Sequence, residues 1–208
     1  MTENQPSFVV IDDDPGQAER IMARLSDIYP GATPVRVTPS GDTQSLDRGN
    51  TIPRSDEDAQ GYVPGSTNWT RFIESLNTLA SGNGVGETFV IIDMVLNKSD
   101  QKAFTNELRT GFGVWYPRAV VEIVAALLKD GAQNPPWIVL TSAYLGFHPR
   151  NLADRLRALK PPPGGGDDQI CWMPLVMFTQ ASWYSDAEVK MHLQGHLGRV
   201  FQPDPVNS

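Results

Sequence analysis

The chain reads TFVIID over residues 88–93, an almost wholly apolar run that ends on an aspartate. A second run of this kind, FVVI, covers residues 8–11 and leads directly into Asp12, Asp13 and Asp14. Short runs without polar alternation are typical of strands that are buried on both faces of a sheet. Both stretches therefore predict buried strands with acidic residues at their carboxyl ends.

Further strands and helices alternate around these two runs. The apolar runs Trp137–Leu140 and Ile170–Met173 predict two more strands, and Val35–Val37, with Arg36 between two valines, predicts a short one. Helical spacing of apolar residues predicts helices over residues 17–29, 68–79, 151–159 and 186–200, and from residue 117 onwards. Strands that alternate with helices indicate a parallel sheet covered on both faces. We therefore expect a doubly wound α/β fold with five parallel strands.

The length fits one domain with additions. The chain has 208 residues, of which 40% are hydrophobic, with 18 glycines and 17 prolines. Polar, glycine-rich and proline-rich stretches interrupt the apolar pattern, and such stretches are typical of surface loops. We expect a single domain over residues 1–201, with insertions at about 39–68 and 97–112 and a flexible tail at 202–208.

Composition argues against several classes of protein. A formal net charge of −7 argues against a broad surface for nucleic acid. No apolar run approaches the roughly 18 residues of a membrane span, and the first residues do not resemble a secretory signal. The one cysteine, Cys171, cannot form an intrachain disulfide, which fits a reducing compartment. We expect a cytoplasmic protein that binds neither nucleic acid nor membrane.

Polar residues follow three of the predicted strands. Asp12, Asp13 and Asp14 follow the first strand, Asp93 ends the third, and Thr141–Ser142 follow the fourth. The carboxyl ends of parallel strands meet at one edge of the sheet, where such folds bind ligands. Crowded carboxylates repel each other unless a cation lies between them, and oxygen ligands suit Mg²⁺. This chemistry favours phosphoryl transfer, although Asp14 is also placed to cap the first helix.

Three segments resemble the signature segments of response-regulator receiver domains. They are VVIDD at residues 9–13, VIID at residues 90–93 and VLTSA at residues 139–143, in the order that the family shows and with helices predicted between them. The resemblance implies a five-stranded sheet in the order 2-1-3-4-5. It also implies a stand-alone signalling protein of a two-component system, in which Asp93 accepts a phosphoryl group from a phosphohistidine.

The resemblance implies further roles by position. Asp13 would bind Mg²⁺ directly, Asp12 would bind it through water, and the Val95 carbonyl and Asp93 would complete the protein ligands. Ser142 would be the switch hydroxyl, with Thr141 as the alternative if the register shifts by one residue. The implied partners are a histidine kinase or phosphotransfer protein and a downstream protein, with a second copy of the chain as another partner.

Two positions depart from the family: that of its lysine after the fifth strand, and that of its switch aromatic three residues before the lysine, which falls on Ile170. Receiver domains carry a Lys-Pro pair after the fifth strand, and this chain has Met173-Pro174. Methionine is neutral and cannot make the charged contact with a phosphoryl group. Lys98 or Lys102, in the loop after Asp93, is a hypothetical replacement. The alternative is a pseudo-receiver, an interaction module that is not phosphorylated.

Two other sites are compatible with the sequence. A haloacid-dehalogenase-like phosphatase would use Asp12–Asp14, a hydroxyl at Thr141 or Ser142, Lys160 and the pair Asp167–Asp168. Two observations argue against this alternative. It gives Asp93 no role, and the late acidic pair follows a Pro/Gly loop where a phosphatase of this kind would have an apolar strand.

A second metal site is conceivable on the last predicted helix. His192 and His196 are one helical turn apart there, and Glu188 lies one turn earlier. A solvated helix face explains this spacing equally well.

Overall fold

A computed structural model describes residues 5–46, 61–81, 87–102, 117–128, 135–143 and 170–195. The strands are β1 (Ser7–Ile11), β2 (Val35–Val37), β3 (Thr43–Ser45), β4 (Thr88–Asp93), β5 (Trp137–Ser142) and β6 (Ile170–Pro174). The helices with defined bounds are α1 (Pro15–Ile28), α2 (Trp69–Ala80), α3 (Arg118–Leu127), α4 (Val176–Thr179) and α5 (Asp186–Gly195). Residues 98–102 are also helical.

These strands form one sheet in the order β3-β2-β1-β4-β5-β6. Every neighbouring pair is parallel except β2–β3, which is antiparallel. The prediction of an α/β fold is confirmed, but the observed order differs from the predicted order of five strands. The difference arises because β3 adds an edge strand through a hairpin, whose turn includes Gly41 at a φ of 89°. The β3 residues are polar and half-buried or exposed, so no apolar run revealed this strand.

Parts of the two predicted insertions are built into the fold. Within residues 39–68 lie β3 and Tyr62, whose side chain is buried in the core. In the second stretch, Asn97 and Asp100 are buried, and the Asn97 side chain accepts a hydrogen bond from the Asp100 N–H at 2.9 Å. The predicted helix at 151–159 and the predicted tail at 202–208 lie outside the described residues.

Apolar side chains cover both faces of the sheet. All six residues of β4 are buried, and their side chains alternate between two core clusters. One cluster packs Val90 and Ile92 against α2 and α3, and the other packs Phe89 and Ile91 against α1, α4 and α5. This arrangement explains why the β4 sequence is apolar without alternation. In the described ranges, no helix has both the length and the apolar composition that crossing a membrane requires.

The start of α1 places the acidic residues at the edge of the sheet. Asp14 is the residue before the helix, and its Oδ1 accepts hydrogen bonds from the Gly16 N–H at 2.8 Å and the Gln17 N–H at 3.4 Å. Pro15 follows at the first helical position, where its missing N–H costs nothing. Asp14 therefore caps the helix, and the turn leaves Asp12 and Asp13 at the end of β1.

Candidate metal centre

Three aspartates from two strands meet at the carboxyl edge of the sheet. Ile11 and Ile92 are in register in the β1–β4 pair, so Asp12 and Asp93 come next on adjacent strands. One carboxylate oxygen from each of Asp12, Asp13 and Asp93 lies within 4.8 Å of the other two. The structure thus brings together residues that are about eighty positions apart in the sequence.

The Asp12 carboxylate is fully buried, with 0% of the residue exposed. Its Oδ1 accepts a hydrogen bond from the Asp14 N–H at 2.8 Å, whereas its Oδ2 has no hydrogen-bond partner among the described residues. Burial, together with the nearby charge of Asp93, raises the pKa of Asp12 well above its usual value. A buried oxygen without a partner is costly, and a cation bound here would remove that cost. The residues therefore fit a hard divalent cation.

The Asp93 carboxylate is also buried, with 8% of the residue exposed. Its Oδ2 accepts a hydrogen bond from the Val95 N–H at 3.3 Å. Burial, and next the negative charge of Asp13, raise the pKa of Asp93 from 3.8 to about 7. Since metal ligands must be deprotonated, a cation at this site would displace protons from the cluster near neutral pH.

A cavity of about 270 Å³ opens beside the three aspartates. Its lining includes Asp13, Asp93, Val95, Ser142 and Gln101, and continues along Asp14, Gln17 and Ala143. None of these described lining side chains is cationic. The two glutamines were missed at the sequence level because neither follows a strand directly.

The two candidate hydroxyls have different positions. Ser142 is buried and lines the cavity, whereas Thr141 is absent from the described lining. Thr141 is in register with Asp93 and fully buried, and its Oγ1 has no hydrogen-bond partner among the described residues. Ser142 is therefore the better-placed hydroxyl for a ligand in the cavity.

Met173 occupies the strand position at which receiver domains carry lysine. It is in register with Thr141, and its side chain is buried in the core cluster on the α1 face of the sheet. Lys98 and Lys102 are exposed and do not appear in the described lining, whereas Gln101 does. The structure therefore gives no support to either lysine as a replacement for the missing charge.

Two buried side chains that the sequence analysis did not single out contact the backbone of the acidic loop. Arg36 donates to the backbone carbonyl of Asp12 from Nε at 3.2 Å and from Nη2 at 3.0 Å. The Tyr62 hydroxyl lies 3.3 Å from the same carbonyl. A signal was present, because an arginine inside an apolar strand and a Gly-Tyr pair inside a polar stretch are both unusual.

The other predicted sites gain little from the structure. Glu188 Oε2 accepts hydrogen bonds at 2.7 Å from both the N–H and the hydroxyl of Ser185, so this carboxylate is engaged at the start of α5. His196, Lys160 and the pair Asp167–Asp168 lie outside the described residues. Among the residues that are described, the aspartate cluster is the one group of three or more side chains suited to a metal.

Comparison of the chain with protein-family models, curated proteins and solved structures finds no match. Function is therefore inferred from the fold and from the chemistry of the aspartate cluster.

Proposed function

We propose that the protein is an atypical stand-alone receiver, in which Asp93 accepts a phosphoryl group while the aspartate cluster holds Mg²⁺. The observation that carries the proposal is the cluster itself. Three carboxylates from two strands meet beside a cavity that Ser142 also lines. An Asp12 oxygen without a hydrogen-bond partner in the described part of the chain, together with the raised pKa values of Asp12 and Asp93, supports a cation there.

The sheet supports the same proposal. When the hairpin strand β3 is left aside, the five parallel strands follow the order β2-β1-β4-β5-β6. Counted along the chain, this is the order 2-1-3-4-5 that the resemblance to receivers implies. The chain reverses direction across the sheet between β1 and β4, and ligands of doubly wound folds bind in the crevice at such a point. The aspartates lie at that crevice.

The proposed reaction transfers a phosphoryl group from a phosphohistidine to Asp93. A carboxylate oxygen of Asp93 attacks phosphorus, and the new P–O bond forms as the P–N bond breaks. The ring nitrogen keeps the electron pair of that bond, so a phosphohistidine that carries a proton on its other ring nitrogen leaves as neutral imidazole. The product is an acyl phosphate, to which the Ser142 hydroxyl donates a hydrogen bond. Mg²⁺ would neutralise charge on the transferred group, with Asp12, Asp13, Asp93 and the Val95 carbonyl as its ligands.

The neutral side chain of Met173 sharpens the proposal. None of the described residues lining the cavity is cationic, so in this proposal the metal would compensate the charge on the phosphoryl group. Phosphorylation is therefore expected to depend strictly on Mg²⁺. The same observation favours a second candidate, a pseudo-receiver that uses the fold as a docking module. In both cases a downstream protein partner would carry the output. Only the phosphorylated receiver would need a phosphodonor, which would be a histidine kinase or phosphotransfer protein.

Intact-mass measurement tests the proposal. The protein is incubated with acetyl phosphate and Mg²⁺, and we expect a mass gain of about 80 Da, one phosphoryl group. The gain should disappear in Asp93→Asn and after addition of EDTA. Asp27→Asn, which changes an exposed aspartate on α1, is the matched control and should retain the gain.

Each other outcome has a distinct meaning. Mg²⁺ binding without a mass gain would favour the pseudo-receiver. If the protein neither binds Mg²⁺ nor gains mass, the proposed receiver chemistry is overturned. Sustained hydrolysis of a generic phosphomonoester that is lost in Asp12→Asn would favour the phosphatase.

A further inference from the structure

The backbone carbonyl of Asp12 is held by a buried arginine. Nε and Nη2 of Arg36 both donate to this oxygen, at 3.2 and 3.0 Å, and Arg36 is 0% exposed. The third nitrogen, Nη1, donates to Gln44 Oε1 at 2.9 Å on the neighbouring strand β3. Burying a guanidinium is costly unless its donors are satisfied, so its position is closely defined.

Tyr62 supports the same carbonyl from the opposite face of the sheet. Its hydroxyl lies 2.6 Å from the Val37 carbonyl and 3.3 Å from the Asp12 carbonyl, so the contact to Val37 is the shorter one. Val35 and Val37 pack in the core cluster that contains Tyr62. Because side chains alternate along a strand, Arg36 is directed to the other face. The Asp12 carbonyl is therefore approached from both faces.

Tyr62 is itself fixed by the loop after β4. Its N–H donates to the Leu96 carbonyl at 3.1 Å, and its carbonyl accepts from Asn97 Nδ2 at 3.0 Å. The residue before it, Gly61, has a φ of 67°, and a Cβ there would collide with the Leu96 carbonyl oxygen. Tyr62 thus connects the loop that follows Asp93 with the loop that follows β1.

The position of this carbonyl gives the contacts their significance. It belongs to the planar peptide unit that joins Asp12 to Asp13, the two acids at the end of β1. β1 pairs with β2 through Val9 and Val10, so Asp12 lies beyond that ladder and its carbonyl accepts hydrogen bonds from side chains. Fixing this peptide plane fixes the directions in which both carboxylates leave the backbone.

We propose that Arg36 is a positioning residue of the metal centre, with Tyr62 as its second support. Together they orient the peptide between Asp12 and Asp13, and so set the affinity for Mg²⁺. This inference rests on the proposed function, since it assigns a role toward the metal of that site. Residues that orient metal ligands in this way commonly change metal affinity by about 10–100-fold when they are replaced.

Calorimetric titration of Mg²⁺ into the metal-free protein tests the inference. Arg36→Met should raise the Kd for Mg²⁺ about tenfold or more, and Tyr62→Phe should raise it by a smaller factor of about three. Arg36→Lys should recover part of the affinity, because an ammonium can donate to the carbonyl but cannot reproduce the paired contact. Tyr29→Phe is the matched control, since the buried Tyr29 hydroxyl has no hydrogen-bond partner among the described residues.

Urea unfolding in EDTA separates positioning from stability. A purely structural role would lower the unfolding midpoint while the folded fraction keeps the wild-type Kd, and that result would overturn the inference. If Arg36→Met does not fold, Arg36→Lys and Tyr62→Phe carry the test. If the wild type binds no Mg²⁺, the metal-dependent proposal and this inference fail together. If the wild type binds Mg²⁺ and the folded variants keep its Kd, the inference about Arg36 and Tyr62 fails while the proposed function stands.

Discussion

Replacement of Asp93 by asparagine should stabilise the protein in the absence of metal. Asp93 is buried beside Asp13, and both burial and that neighbouring charge disfavour its ionised form. Asparagine keeps the shape and can still accept the hydrogen bond from the Val95 N–H, but it carries no charge. Asp93→Asn therefore removes the electrostatic cost and retains the packing.

The size and sign of the effect follow from the pKa of Asp93. The folded protein holds this proton up to about pH 7, whereas the unfolded chain releases it near 3.8. The folded state thus binds more protons between these values, so its free energy of unfolding falls as pH rises through that window. At about 1.4 kcal/mol per pH unit, the cost reaches about 4 kcal/mol above pH 7.

Urea denaturation in EDTA, from pH 4.5 to pH 8.5, measures this difference. The stability advantage of Asp93→Asn over the wild type should be small at pH 4.5 and should grow to about 4 kcal/mol at pH 8. Excess Mg²⁺ should reduce the advantage, because the metal stabilises only a folded site that can bind it. Asp27→Asn, on the exposed face of α1, should run parallel to the wild type.

One result would refute the reasoning. If the two stability curves stay parallel across the pH range, Asp93 is ionised in the folded protein at no cost. The carboxylate would then be solvated or paired, and the case for a cation at the cluster would lose its electrostatic basis.

Four further predictions concern other features of the structure. In thermal denaturation, Gly61→Ala should lower the free energy of unfolding by more than Gly65→Ala does. Both glycines have a positive φ, which costs an alanine about 1–2 kcal/mol, but an added Cβ collides with a neighbour only at Gly61. Thr141→Val should raise the free energy of unfolding in urea by about 1 kcal/mol, since it removes a buried hydroxyl that has no partner among the described residues. Ser142→Ala should slow phosphorylation by acetyl phosphate, because it removes the hydroxyl that lines the cavity. Burial raises the pKa of the Cys171 thiol, so an aromatic disulfide reagent should modify it only after denaturant is added, as absorbance will show.

The elements that the sequence predicted are strands with continuous apolar runs and helices with apolar residues at helical spacing. β1, β4 and β5 are buried on both faces, so each reads as an apolar run, and the polar residues that follow them meet at one edge as expected. β3 could not be predicted in this way, because an edge strand of Thr43, Gln44 and Ser45 buries little apolar surface. Its pairing depends on a hairpin turn and on contacts of Gln44 with Arg36.

The side chains that support the Asp12 backbone were not predicted, for a different reason. Arg36 and Tyr62 act through the backbone of Asp12, and such contacts leave no spacing pattern in the sequence. Polarity suggested that the stretch around Tyr62 was a surface insertion, yet its ring packs in the core against Phe72, with centroids 5.0 Å apart. Local composition describes a loop on average, whereas burial of one aromatic ring is decided by tertiary contacts.

The central place of β1 in the sheet has a consequence for how the protein is made. Its partner on one side, β4, lies about eighty residues later in the chain, because Val9 pairs with Val90. During synthesis, β1 and its acidic loop therefore emerge long before the strand that completes the cluster. The Asp93 carboxylate stays apart from those of Asp12 and Asp13 until β4 docks, and repulsion between the charges opposes that step. If the cluster binds Mg²⁺ as proposed, the ion should consequently speed the late stage of folding, and it would then assist assembly as well as occupy the site.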